Sequence, residues 1–421
     1  MTMQAFPRIS VSSLIIAGQA ELKTGPFGTQ LKASEYTEEG TPVINVRNIG
    51  MGSIKPDKLE YISDSTRDRL SSHVLRLGDI VFGRKGAVER HVFIRPEQHG
   101  WFQGSDCLRL RLSSPKVEPL FASYFFQTTE HQSWMMNQCS HGATMSSLNQ
   151  EILERIEIPN PPIEVQRRIA AILSAYDELI ENNQRRIRIL EDMARSLYRE
   201  WFVHFRYPGH ESVPLVDSPL GQIPQGWEVR KLGDIAEDMR RNIPKGQLDE
   251  PQPYVGLEHI PRRSLALDSW ETASELGSNK LAFKKGEILF GKIRPYFHKV
   301  SIAPFDGLCS ADTIVIRARQ SEHYSIVVGC VSSDEFVAHA TATSNGSKMP
   351  RANWSVLEEY PVAIPTLAVA RQFSAVVEPA IQQMQTLIFQ TTNLRRTRDL
   401  LLPRLLSGQV ALAADTSSIT A

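Results

Sequence analysis

Cysteine is scarce: the 421-residue chain has four, and none is paired at the close spacing of a zinc knuckle. With no secretory-type apolar segment ahead of them, four cysteines predict free thiols in a reducing compartment, the cytoplasm. Long hydrophobic runs are missing too. No stretch approaches the roughly 20 consecutive apolar residues of a membrane span, and Met1 to Arg8 lacks the apolar centre of a signal peptide. Net charge is absent: 47 basic residues offset 47 acidic ones. Any affinity for nucleic acid must therefore come from local basic patches set against acidic surfaces elsewhere. The phosphate-binding signature GxxxxGK[ST], the dinucleotide signature GxGxxG and the zinc signature HExxH do not occur, and the 11 histidines scatter without ligand spacing. These absences argue against a nucleotide-driven or metal-dependent catalyst.

What the chain does have is internal repetition. LGDIVFGR, from Leu77 to Arg84, matches KGEILFGK, from Lys285 to Lys292, with Gly78 and Gly286 lying 208 residues apart. Asp106 before the alternating run LRLRL matches Asp312 before IVIRA, and Ile158-Pro159 matches Ile364-Pro365, both at 206 residues. Gln166 and Gln372 keep the same spacing, and PVINVRNI from Pro42 resembles PYVGLEHI from Pro253. A period near half the chain is too long for a solenoid and describes a duplicated domain pair. In each half, short alternating apolar and polar runs broken by Gly and Pro predict strands and turns, and a long helical segment follows.

In the first half, Pro161-Pro162 opens that segment, since proline is tolerated in a first helical turn. From there Ile169, Leu173, Tyr176, Ile180, Asn183, Ile187, Leu190, Ala194, Leu197 and Trp201 recur at four-three spacing, a heptad seam. A helix from about Glu164 to Phe205 would run roughly 60 Å and need a partner to cover its stripe. The second half offers Val369, Phe373, Val376, Ala380, Gln383, Leu387, Gln390, Leu394, Thr397 and Leu401, ending at Pro403 and Gly408. Pro379 lies inside this run and is expected to kink or interrupt it. Asn183, Gln383 and Gln390 either fix register or are solvated at a frayed seam. Between the halves, Tyr207 to Pro224 lacks periodicity and reads as an ordered loop or linker, while the tail beyond Val410 has a disordered composition.

Catalytic signals are weak. Asn160-Pro161-Pro162-Ile163 resembles the Asn-Pro-Pro-aromatic motif of amino-group methyltransferases, in which the Asn holds the amino nitrogen of a flipped base. Ile163 replaces the aromatic, the second copy reads Pro365-Thr366-Leu367, and no glycine-rich loop for a methyl donor lies upstream. A strand-to-helix junction is the favoured reading. Basic residues, in contrast, gather beside the repeated Phe-Gly pair: Arg84, Lys85 and Arg90 in one half, Lys292, Arg294 and Lys299 in the other. A glycine permitting a tight turn, followed at once by exposed Arg or Lys, would present a loop to phosphates or a groove. Lys32 and Arg47 in the first half and Arg240, Arg241, Arg262 and Arg263 in the second are weaker candidates, since nothing in the sequence fixes their orientation.

These segments resemble the specificity subunit of type I restriction-modification systems. Gly25-Pro26-Phe27-Gly28 with Gln30-Leu31-Lys32 and Tyr36 looks like the opening of a first target-recognition domain. Gly221-Gln222-Ile223-Pro224 with Gly226-Trp227-Glu228 looks like the opening of a second, although the second half lacks the GPFG sequence. Ile158 to Gln166 with Leu197 to Val203 resembles the family's central repeat region, and Leu401 to Gly408 the distal one. The resemblance implies an α+β fold in which two duplicated target-recognition domains are joined by two long antiparallel coiled-coil-like helices in a pseudo-two-fold arrangement. It places the first recognition domain at 1–158, the central helical region at 159–206, a linker into the second half at 207–226, the second recognition domain at 227–364, the distal helical region at 365–408 and a disordered tail at 409–421. It implies a DNA-reading subunit without catalysis or cofactor of its own. Two methyltransferase subunits would dock on it and methylate adenine N6 with S-adenosylmethionine, and restriction subunits would add ATP-driven translocation and cleavage, with Mg2+ and ATP held on the partners. Double-stranded DNA is the expected ligand, read as two unlike half-sites whose spacer the helices set. Lengthening the Ile187 region by one or two heptads would then change the spacer alone. A protein-only assembly scaffold and a self-contained methyltransferase remain the alternatives.

Overall fold

The computed structural model describes residues 6–139, 147–346 and 348–410, and they divide into two units. One holds the chain up to Glu178 together with the stretch from Arg395 onward; the other holds Leu179–Leu394.

In the first unit a five-stranded sheet runs in the order Ala20–Thr24, Cys107–Leu112, Ile80–Gly83, His91–Phe93, Met51–Gly52. Strand alternation sorts its side chains. Leu108, Leu110 and Leu112 face a core built with helix Pro119–Phe126, while Cys107 and Val81 face a smaller cluster with Ile44 and Val92. The second unit repeats the plan with Ala236–Asp238, Thr313–Ala318, Ile288–Gly291 and Val300–Ile302 in one sheet. A second sheet accompanies each, four-stranded in the first unit and five-stranded in the second. Its shared part is Glu60–Ile62, Thr41–Ile44, Phe102–Gln103 in one unit and Glu271–Ala273, Gln252–Val255, Gly307–Ser310 in the other, the first pair antiparallel and the second parallel in both. The edges differ: the first unit adds Tyr36–Thr37, the second Lys280–Phe283 and Asn242–Ile243. All four cysteines are buried free thiols.

The long helices are Ile163–Tyr198 and Leu367–Leu406. They pack together antiparallel within each unit: Ile169, Ala170 and Leu173 share a core with Leu405 and Leu406 in the first, and Ile187 meets Leu387 and Ile388 in the second. Trp201 continues the second series, its ring centroid 5.5 Å from that of Phe373. On the first helix Ile169, Leu173, Ile180, Asn183, Ile187 and Ala194 are buried and Tyr176, Leu190 and Leu197 half-buried.

Four expectations need correction. The first helix leaves α-geometry at Tyr198 and continues as one π-helical turn, Arg199–Val203, rather than reaching Phe205. The second runs unbroken through Pro379 and past Pro403. Pro379 is exposed, so the carbonyl of Ala375, deprived of its intrahelical donor, faces water instead of a core. The buried stripe of that helix is Ala370, Phe373, Val377, Ala380, Met384, Leu387 and Thr391, whereas Val376 is 44% exposed, Gln383 and Gln390 are exposed and Leu394 and Leu401 are half-buried. Finally, the stretch read as a loop contains a β-hairpin, Leu215–Ser218 with Gly221–Pro224. The proposed tail lies from residue 411 outside the described residues.

Candidate nucleic-acid interface

Each unit carries the Phe-Gly pair at the end of a central strand, and the basic residue that follows is clamped in the same way. Arg84 donates its backbone N–H to the Asp106 carbonyl at 2.9 Å, and its own carbonyl accepts from Leu148 N–H at 2.9 Å. Lys292 donates to the Asp312 carbonyl at 2.8 Å and accepts from Ala352 at 3.0 Å. The segments closing these clamps enter helices capped by Asn149 and Asn353, whose side chains accept the N–H groups of Ile152 and Ser355. Both copies thus hold the loop by main-chain bonds, which leaves side-chain identity free to differ.

The glycines of the pair do not make the turn. Gly83 and Gly291 are the last strand residues, and Gly291 is needed for space: a Cβ there would sit 3.2 Å from Lys299 Cβ and 3.3 Å from Leu257 Cδ2. Left-handed glycines stand in the first unit's loop itself, Gly86, and at the strand entrances, Gly78 and Gly286; at the entrances the acid that follows is structural. Asp79 caps the Arg76 N–H and is gripped by Arg111 through two 2.7 Å bonds; Glu287 caps Lys284 and is gripped by Arg241, again through two 2.7 Å bonds. Arg241 is therefore committed to the fold, as is Arg240, 2.8 Å from Asp238.

In the first unit, Lys85 lies 3.3 Å from Asp106 and Arg90 3.4 Å from Glu89, and Arg84 is half-buried. Arg47, paired with Glu60, belongs to a short turn whose Val46 packs beside Gly83, so the fold brings it to the loop end of the same strand. Lys32 is elsewhere: it precedes a turn tied down by Glu35 and Arg69, and the adjoining Leu31 packs with the smaller sheet. In the second unit, Lys292 Nζ donates to the Ala311 carbonyl at 3.0 Å. Lys299 is half-buried against the Leu257 carbonyl, and its pKa is lowered first by burial and next by nearby Arg262. Arg294 is exposed and left-handed at φ 50°, flanking the turn Pro295–Phe297 with left-handed His298 at φ 51° on the other side. Backbone held in this region by non-glycine residues is strained and concentrates where loops are functional. Arg262 stacks 4.0 Å over Phe297, with Arg294 at 6.0 Å.

Residue-type reasoning missed Tyr296, half exposed and in ring contact with Phe297. The signal was present in the run RPYFHK, where bases of the protein alternate with aromatics, an arrangement suited to stacking and phosphate contact together. Asn160 to Ile163 is a strand-to-helix junction: Asn160 donates its N–H to the Pro7 carbonyl, its side-chain oxygen accepts from buried Gln166, and the helix starts at Ile163. Gln372, its sequence counterpart, is exposed. Among the described residues no group of three or more His, Cys, Asp or Glu is arranged to hold a metal, and no helix is long and apolar enough to cross a membrane.

A duplicated α+β plan, two paired long helices and a basic loop held alike at matching strand ends have the architecture of a DNA-specificity subunit. The chain belongs to the type I restriction-modification specificity family: it matches the type I restriction modification DNA specificity domain over residues 24–192 and again over 224–390. It is 28% identical over 297 residues to the MjaIX specificity subunit of Methanocaldococcus jannaschii, covering 68% of each chain. It is 30% identical over 177 residues to the EcoDI specificity subunit of Escherichia coli, covering 41% of this chain and 39% of that one. The S subunit structure from M. genitalium has a like fold, with a TM-score of 0.60, 16% identity and 96% of each chain covered.

Proposed function

We propose that the chain reads a bipartite, asymmetric double-stranded DNA target, one half-site per recognition domain, with the helix pair setting the spacer, and that it docks two methyltransferase subunits. Adenine N6 methylation, with its S-adenosylmethionine, and any Mg2+- and ATP-dependent cleavage belong to the partner subunits. The observation that carries this reading is the loop clamp repeated at matching strand ends. Identical main-chain support under different side chains is what two readers of different sequences require, because base readout depends on which side chains reach the groove while phosphate contacts set position. Arg84, Lys85, Arg90 and Arg47 are assigned to one half-site and Lys292, Arg294 and Lys299 to the other, with Lys32 as an outlying phosphate contact.

A genome-wide map of N6-methyladenine with and without the gene tests this. Loss of a single split motif is the expected result. An unchanged map in cells that express the methyltransferase partner would refute it and favour a scaffold role.

A further inference from the structure

The entrance of the Phe-Gly strand, at the end opposite the basic loop, carries a second charged surface in both units, and the two copies differ there in a telling way. In the first unit a cavity of about 460 Å³ is lined by Lys23, Arg76, Arg109, Arg111 and Glu21. Arg111 is neutralised by Asp79 and Arg109 by Glu21 at 2.8 Å. Arg109 is 1% exposed, yet its Nε–H has no hydrogen-bond partner among the described residues. Among the described residues no carboxylate pairs with Lys23 or Arg76 within 4.0 Å, so four cations meet two acids. The matching surface of the second unit is compensated. Arg241 pairs with Glu287, Arg317 with Glu237 and Lys284 with Asp306 at 2.8 Å, and Glu378 lines the wall beside Lys285. There four cations meet four acids.

We infer that the first-unit cavity is an oxyanion site that takes one phosphodiester group of the DNA backbone, and that the second unit lacks its equivalent. Two cations that line an accessible cavity with no carboxylate paired to them are matched by a doubly oxygenated anion, whose oxygens can accept from both. DNA is the favoured source because the cavity sits on strand Cys107–Leu112, which pairs directly with the Phe-Gly strand that ends at the proposed reading loop. This inference rests on the DNA-reading function proposed above. It adds a sequence-independent anchor confined to one half of the target.

The test is a salt titration of duplex binding by the full-length chain, measured as fluorescence anisotropy across a KCl series with a duplex carrying the mapped motif and with a scrambled one. Lys23→Ala/Arg76→Ala removes the two unpaired charges from accessible positions, and Lys284→Ala is the control at the matching place. The double variant is expected to lose about 0.9 from the magnitude of the log affinity versus log salt slope, the value of one phosphate contact, and to weaken both duplexes alike, with Lys284→Ala unchanged. A wild-type slope in the double variant overturns the inference, as does an equal drop in Lys284→Ala. If the double variant binds DNA normally but no longer gains thermal stability from inorganic phosphate, the site is one for a free oxyanion and the DNA assignment fails. If wild type shows no preference for the motif while the slope still drops in the double variant, the half-site reading fails and the anchor stands.

Discussion

Asp79 is 1% exposed and spends both carboxylate oxygens on Arg111 and on the Arg76 N–H. A carboxylate so enclosed is held by its partners, and removing it strands a partly buried guanidinium. Asp79→Ala is therefore expected to cost roughly 3 kcal/mol, read as a lower urea midpoint; a change under about 0.5 kcal/mol would show that the pair contributes nothing net. The same unit holds three buried histidines, His73, His91 and His131, whose acidity is set by their surroundings, and burial pushes the pKa of His73 down to about 4. His91, bonded to Ser123 at 2.9 Å, and His131, packed among Phe125, Phe126 and Trp134, both have pKa values pushed down to about 3 by burial, from a reference of 6.5. Above pH 6.5 both states are neutral and stability is complete. As pH falls from 6.5 toward 3 the unfolded chain takes up protons that the folded one refuses, so stability drops by about 1.4 kcal/mol per pH unit per histidine. Urea unfolding at pH 7 and pH 5, followed by tryptophan fluorescence, should show the loss, and His131→Phe, which keeps the ring packing, should lessen it by the share of one histidine. An identical pH dependence in that variant would mean other groups are responsible.

Within the helices, the distinction between seam and surface is open to measurement. Phe373 is fully buried beneath Trp201 and Phe202, so Phe373→Ala should cost about 3 to 5 kcal/mol. Val376, one turn on but exposed, should tolerate alanine within about 0.5 kcal/mol. Pro379→Ala restores a donor on an exposed turn and should raise the melting temperature, since proline in a helix interior is about 3 kcal/mol worse than alanine. Gly329, in helix Tyr324–Val331, lies under the ring of Tyr198, and a Cβ there would collide with it; Gly329→Ala should destabilise by about 1 to 3 kcal/mol. These elements also show where the sequence is legible. The first helix has one apolar residue at nearly every seam position, so its stripe reads off directly. The second offers Val376 beside Val377, and both fit a four-three rhythm. The polar Gln383 and Gln390 against apolar Met384 were the residues that could break the tie. The loop clamp was legible only as the repeated Phe-Gly pair, because main-chain hydrogen bonds leave no mark on residue type. The commitment of Arg241 to Glu287 was hidden because the partners lie 46 residues apart.

For the whole molecule, duplication was the strongest signal, since landmark order survives even where the sheet edges have diverged. The proposed ruler makes a geometric demand on it. Both long helices pass from one unit to the other, between Glu178 and Leu179 in one and between Leu394 and Arg395 in the other. Inserting one heptad at each of these points lengthens the pair by about 10.5 Å and turns the helical faces by only about 20°. At about 3.4 Å per base pair, the spacer in the methylation map should grow by about three base pairs while both half-sites stay the same. DNA itself turns about 100° over that distance, given roughly 10.5 base pairs per turn, and the insertion does not follow this rotation, so methylation of the new motif should be less complete than of the old one. A five-residue insertion at the same points turns the faces by about 140°, breaks the seam and should abolish methylation. An altered half-site, or an unchanged spacer with full methylation after the heptad insertion, would show that something other than the helix pair measures the distance.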